Sequence, residues 1–146
     1  MHVDISVRTL INRPAAVVAD YAANPLNAPE WYSNITAVAV HAPGTPFGVG
    51  SRMDFVAHFL GRRLSYTYEV TEHEPGRSLT MRTADGPFPM QTTYTWSAEG
   101  DSTVMTLRNT GTPAGFSALL TPFTSFAMKA ATTKDLADLK RILEQR

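Results

Sequence analysis

The sequence contains no cysteine, which excludes disulfide bonds, thiolate metal sites and a cysteine nucleophile. It also has no excess charge of either sign, because 13 Lys and Arg residues balance 13 Asp and Glu residues. A neutral chain lacks both the basic surface that binds nucleic acids and a polybasic segment that binds anionic lipids. We therefore expect no nucleic-acid partner.

Long hydrophobic runs are absent as well. The residues from His2 to Arg8 alternate polar and apolar side chains instead of forming the apolar core of a signal peptide. No later segment approaches the roughly 20 apolar residues of a membrane span. The sequence therefore predicts a cytoplasmic protein without stable membrane insertion. Because 43% of the 146 residues are hydrophobic, we expect residues 1–146 to form one domain with a real core.

Hydrophobic periodicity predicts a strand, two short helices, six further strands and a long final helix. Residues 3–11 alternate as a half-buried strand does, and Pro14 suits the first turn of a helix that Asn24-Pro25 ends. A second helical turn covers Leu26 to Trp31. The further strands fall within residues 35–41, 51–59, 62–73, 79–83, 90–96 and 103–107. The short connections between these strands predict antiparallel neighbours.

The final helix is the one element left to cover the apolar face of this sheet. Apolar residues recur in it mostly at intervals of three and four: Phe116, Leu119, Leu120, Phe123, Phe126, Ala127, Ala130, Leu136, Leu139, Ile142 and Leu143. We predict a helix over roughly residues 117–144, with Pro122 either in its first turn or at a kink. The predicted class is α+β, a curved antiparallel sheet of about seven strands wrapped around a long C-terminal helix.

Four short segments of the sequence point to a family. They are Ile11-Asn12-Arg13-Pro14-Ala15, Pro29-Glu30-Trp31, Gly48-Val49-Gly50-Ser51 and the stretch from Tyr68 to Arg77. With these segments and this element order, the sequence resembles the START-like (SRPBCC) superfamily, the helix-grip fold of the birch-pollen allergen, over nearly the whole chain. Within that superfamily it is most similar to the bacterial polyketide cyclase/dehydrase-like branch. The resemblance implies a cavity between sheet and helix that holds a hydrophobic small molecule.

Aromatic and methionine side chains dominate the inferred inward faces. A row of tyrosines is a costly way to fill a core, because each unpartnered buried hydroxyl costs about 1–3 kcal/mol, whereas flexible thioethers suit an adaptable wall. Ordinary core packing is the alternative for any one of these residues. The predicted ligand-binding residues are Trp31, Tyr32, Met53, Phe55, Phe59, Tyr66, Tyr68, Met81, Met90, Tyr94, Phe116, Leu120 and Phe123.

The function favoured by this pattern is binding or transport of a hydrophobic, ring-containing small molecule, with Tyr66, Tyr68 and Tyr94 orienting it. We predict no cofactor, and no metal because the histidines have no metal-ligand spacing. A homodimer is left open.

Two alternatives remain. One is a polyketide cyclase or dehydratase in which inward tyrosines orient the substrate or act as general acids. Its weakness is the absence of an arginine in the inward phase, since Arg52, Arg63, Arg82 and Arg108 all fall out of it. The other is a partner-interaction protein of the ubiquinone-associated type, which would show an exposed apolar patch outside the cavity.

Overall fold

The structure, a computed structural model, describes residues 3–59, 61–86, 88–112 and 121–146. Its strands are β1 Val3–Ile11, β2 Ile35–Val40, β3 Arg52–Phe59, β4 Arg62–Glu74, β5 Ser78–Asp85, β6 Met90–Glu99 and β7 Ser102–Gly111. Its helices are α1 Ala15–Ala23, α2 Ala28–Trp31 and α3 Thr121–Glu144, with a 3₁₀ turn at Pro25–Asn27 between α1 and α2. This confirms the predicted class and element order. Pro122 lies in the first turn of α3, where its missing N–H needs no partner, and the predicted start at 117 lies outside the described residues.

All seven strands form one antiparallel sheet in the order β1-β7-β6-β5-β4-β3-β2. The register shifts within the β2–β3 pair once and within the β4–β5 pair twice. Extra residues of this kind bend a strand and increase its twist. The resulting curl turns the inward face of the sheet toward α3, as the sequence predicts.

A network of side chains fixes the segment between α1 and β2. The Asn24 side chain accepts a hydrogen bond from the Leu26 amide at 3.0 Å, and the Asn27 side chain donates to the Tyr21 carbonyl at 3.1 Å. The Tyr21 hydroxyl donates to Glu30 at 2.5 Å, and burial together with this bond raises the pKa of Tyr21 to about 12. These bonds hold α2 in an orientation that buries Trp31, its last residue.

The C-terminal half of α3 is anchored to β1. Leu136, Leu139 and Leu143 are buried there. Polar bonds close the same end: the Lys140 ammonium donates to the Leu10 carbonyl at 2.7 Å, and the Arg13 guanidinium donates to the Leu143 carbonyl at 2.8 Å. A cation at the last carbonyls of a helix also complements its dipole. None of the described helices is long and apolar enough to span a membrane.

The assignment of Phe126 to the inward stripe of α3 is wrong. Its side chain is 72% exposed, and Ala130 is exposed as well. Phe126 precedes the buried Thr132 by six residues, which places it about 120° around the helix from the face that meets the sheet. Phe116, Leu119 and Leu120 lie outside the described residues, and so does the side chain of Phe123.

Replacing Leu139 by Ala tests the anchoring of α3. Leu139 is fully buried, so we expect the substitution to lower the free energy of unfolding by about 2–5 kcal/mol. Arg141→Ala on the exposed side of the same turn should change it by less than about 0.5 kcal/mol. Urea denaturation followed by circular dichroism measures both. Equal losses would contradict the assigned helix face.

Candidate functional site

A cavity of about 140 Å³ lies between the sheet and α3. Every strand contributes to its wall, as do α1, α2 and α3. An engineered core cavity of about 150 Å³ stays dry and binds benzene. The space is therefore of the size that holds one small ring.

The structure brings many of the predicted site residues together around this cavity. Those in its wall are Tyr32, Phe55, Tyr66, Tyr68, Met81, Met90 and Tyr94. Trp31 and Met53 are buried but do not line it, and Trp31 packs behind Tyr32 with ring centroids 4.1 Å apart. Phe116, Leu120 and the side chains of Phe59 and Phe123 lie outside the described part of the chain. Alternation thus predicted the side of the sheet on which a residue lies, but not its depth.

One side of the cavity is an aromatic wall on β3 and β4. Phe55 pairs with Tyr66 across the two strands, and their ring centroids are 5.6 Å apart. Tyr66 meets Tyr68 edge to face at 5.0 Å. Such tilted contacts between rings are favourable beyond the area they bury. The wall is therefore held in shape by contacts among its own rings.

A chain of hydrogen bonds crosses the floor of the cavity. The Thr92 hydroxyl donates to Asn109 Oδ1 at 2.6 Å, and because it has one hydrogen it must accept from the Tyr68 hydroxyl, 2.7 Å away. Sequence reasoning did not select Thr92 or Asn109. Thr92 shares the inward phase of Met90 and Tyr94, and Asn109 is its cross-strand partner. Strand register was therefore the signal that could have found both.

The tyrosine hydroxyls of the cavity are neutral at physiological pH. Tyr32 and Tyr94 share a hydrogen bond of 2.5 Å, whereas the Tyr66 hydroxyl makes none with the described residues. Burial raises the pKa of each of these tyrosines, and that of Tyr68, above the ordinary range. All four hydroxyls therefore keep their protons and can donate or accept hydrogen bonds.

Asp135 is the residue that sequence reasoning missed. It lines the cavity from α3, is only 3% exposed, and accepts two hydrogen bonds at Oδ1, from the Ser33 amide and the Ser33 hydroxyl, both at 3.0 Å. Burial raises the pKa of this carboxyl, although the bonds from Ser33 oppose the shift. Asp135 falls four residues before Leu139 and three after Thr132. That spacing along the inward stripe of the helix was the available signal.

The described wall of the cavity contains an acidic side chain but no basic one. None of the described residues in its wall is a lysine, an arginine or a histidine, and Asp135 is the one carboxylate among them. The arginines at 52, 63, 82 and 108 are all exposed on the other face of the sheet, as the sequence predicts. The arrangement can hold an apolar body by contact and a small polar group by hydrogen bonds, but it gives an anion no countercharge.

Comparison with known proteins gives one family. The family model described as polyketide cyclase/dehydrase and lipid transport matches residues 2–144. None of the curated proteins compared with the sequence matches it.

Solved structures are similar over nearly the whole chain. The protein TTHA0849 from Thermus thermophilus is 19% identical with a TM-score of 0.82, and the match covers 96% of each chain. The Zhui aromatase/cyclase from Streptomyces sp. R1128 is 14% identical with a TM-score of 0.79, over 100% of this chain and 96% of that one. A START superfamily protein from Mycobacterium smegmatis is 16% identical with a TM-score of 0.71, over 100% and 97%. At these identities the likeness concerns the fold, and the helix-grip architecture is confirmed.

Two tyrosines on one strand face give a matched pair of variants. Tyr68→Phe removes the donor to Thr92 and should lower the free energy of unfolding by about 1 kcal/mol. Tyr66→Phe removes a hydroxyl that bonds to none of the described residues, so the stability should stay the same or rise. Urea denaturation of both variants measures the difference. An equal cost for the two would contradict the assigned bonds.

Asp135 and Asp138 should influence stability in opposite directions as pH changes. Because the folded-state pKa of Asp135 is raised, its contribution is present below the ordinary value of 3.8 and lost as pH rises through the folded value. The hydrogen bond from Lys134 lowers the pKa of Asp138, so its contribution is lost as pH falls. Relative to Asp135→Asn, the wild type should therefore lose stability between pH 3 and 7, and relative to Asp138→Asn it should gain. Unfolding midpoints across this range measure both trends, and parallel trends would refute the assignment.

Proposed function

The chain belongs to the polyketide cyclase/dehydrase and lipid transport family, and on that premise we propose that it binds or transports a hydrophobic small molecule that contains a ring. The observation that carries the proposal is the cavity of about 140 Å³ between the sheet and α3. Its wall combines apolar side chains with a few hydroxyl groups, the composition that small-molecule sites usually have.

Small side chains create the space. Alanines face the cavity from several elements, namely Ala22, Ala23, Ala28, Ala57 and Ala131. Protein interiors are otherwise close-packed, and each Å³ of void costs roughly 24 cal/mol, so an empty cavity of this size would cost about 3 kcal/mol. That is a large part of the stability of a small domain. A ligand that fills the space would offset this cost.

The enzyme alternative has less support. Proton transfer is most efficient when the pKa of the catalytic group lies near the operating pH, yet burial moves the pKa of Tyr66, Tyr68 and Tyr94 further above neutrality. No arginine lines the cavity among the described residues. The tyrosines are therefore suited to orienting a bound molecule by neutral hydrogen bonds.

An interaction surface has less support as well. The large apolar side chains that the structure describes as exposed are Leu10, Leu26, Val49 and Phe126. They come from a strand, the 3₁₀ turn, a loop and a helix, so none of these elements presents more than one of them to solvent.

Filling the cavity tests the proposal. The wild type should bind p-xylene, a single-ring probe, with saturable shifts of the amide signals around the cavity in ¹H–¹⁵N NMR spectra. Ala131→Phe places a ring in the cavity and should abolish these shifts. Ala130→Phe adds the same ring on the exposed side of α3 and should leave them intact.

Two results would overturn the proposal. The first is a wild type that shows no saturable shifts with p-xylene or with p-cresol, its hydroxylated counterpart, up to the solubility limit of each. The second is equal binding by the two phenylalanine variants, because the probe would then occupy another place. Circular dichroism of both variants checks that α3 is retained.

A further inference from the structure

A second group of polar side chains meets where α3 approaches the segment between α2 and β2. Ser33, next to Tyr32 in the chain, holds Asp135 through two hydrogen bonds, and Tyr32 bonds to Tyr94. Tyr32, Tyr94 and Asp135 all line the same cavity. We call this group, Tyr32, Ser33, Tyr94 and Asp135, the polar end.

The polar end has one hydrogen-bond acceptor and one hydrogen-bond donor that bond to none of the described residues. Both bonds from Ser33 go to Oδ1 of Asp135, and the other carboxylate oxygen bonds to none of the described residues. The Tyr32–Tyr94 bond uses one of the two hydroxyl hydrogens, so the other hydrogen remains available whichever tyrosine donates. Asp135 is only 3% exposed and lines the cavity, so this oxygen is open to a molecule bound there.

A hydroxyl group on a ring matches this pair, because it has one hydrogen to give and an oxygen that accepts. We propose that the polar end recognises the hydroxyl of a phenol-like ligand, with Asp135 accepting its hydrogen and the tyrosine pair donating to its oxygen. This deepens, and rests on, the proposed binding function. A hydrocarbon would leave the carboxylate oxygen unsatisfied.

A carboxylate on the ligand should be rejected. It would lie beside the charge of Asp135, and the described residues of the wall supply no cation to compensate. Like charges that close together in a buried site repel strongly. The ligand class is therefore a neutral hydroxylated ring, as opposed to a fatty or aromatic acid.

Three probes of nearly equal shape test this inference: p-cresol, p-xylene and p-toluate. The readout is the ratio of the dissociation constants of p-xylene and p-cresol, measured by NMR titration at pH 7. In Asp135→Asn the amide oxygen can keep the bonds from Ser33, so the amide NH₂ faces the cavity and the spare acceptor becomes a donor. We expect the ratio to fall about tenfold in this variant, since a hydrogen bond to a charged group is lost.

Asp138→Asn is the matched control. It makes the same substitution on the same helix at a carboxylate that pairs with Lys134 at 2.7 Å, and it should leave the ratio unchanged. An unchanged ratio in Asp135→Asn, or p-toluate binding more tightly than p-cresol to the wild type, would overturn the inference alone. If the wild type binds none of the three probes, the proposed function is overturned together with the inference.

The orientation of p-cresol in the wild type gives a test that needs no variant. Intermolecular nuclear Overhauser effects should connect the ring protons beside the hydroxyl to Asp135 and Thr132, and the methyl group to the far side of the cavity. The reversed orientation would contradict the assigned roles.

Discussion

The contact between α3 and β1 is the one on which the rest of the structure depends. The leucines of the last three turns of α3 fill the space against the sheet, and Lys140 and Arg13 bind carbonyl oxygens across the same junction. Before Leu136 the inward residues include small and polar ones, since Ala131, Thr132 and Asp135 face the cavity together with Met128. α3 therefore fills the core at its C-terminal end and leaves space for the cavity before it.

The chemistry of the cavity follows from burial. Low polarity favours the neutral form of an ionisable group. Here it keeps tyrosines protonated and raises the pKa of the Asp135 carboxyl, whose hydrogen bonds within the described part of the chain come from Ser33. The site is thus provided with hydrogen-bond donors and acceptors, and its tyrosines have little capacity to move protons near neutral pH. Binding is the simpler use of such a set of groups.

Alternation and helical spacing predicted most of the fold, because a sheet covered on one side imposes a period of two and its covering helix a period near 3.6. Alternation and helical spacing did not predict the positions of side chains that depend on more than the period. Trp31 and Met53 face inward but lie behind the wall, a matter of packing depth. Asp135 has a polar side chain at a position of the apolar stripe, and hydrophobic periodicity does not predict a polar residue there. Phe126 shows that an apolar residue at nearly the right spacing can still lie on the outer side of the helix.

The pairing of β1 with β7 has a consequence for how the chain folds. Asp4 and Arg108, which are 104 residues apart, meet through two hydrogen bonds of 2.9 and 2.7 Å between neighbouring strands. Contacts between residues so distant in sequence slow folding, because the loop between them must close before they form. During synthesis β1 must wait, unpaired, until β7 and then α3 have left the ribosome. The cavity is therefore among the last features of the molecule to take shape.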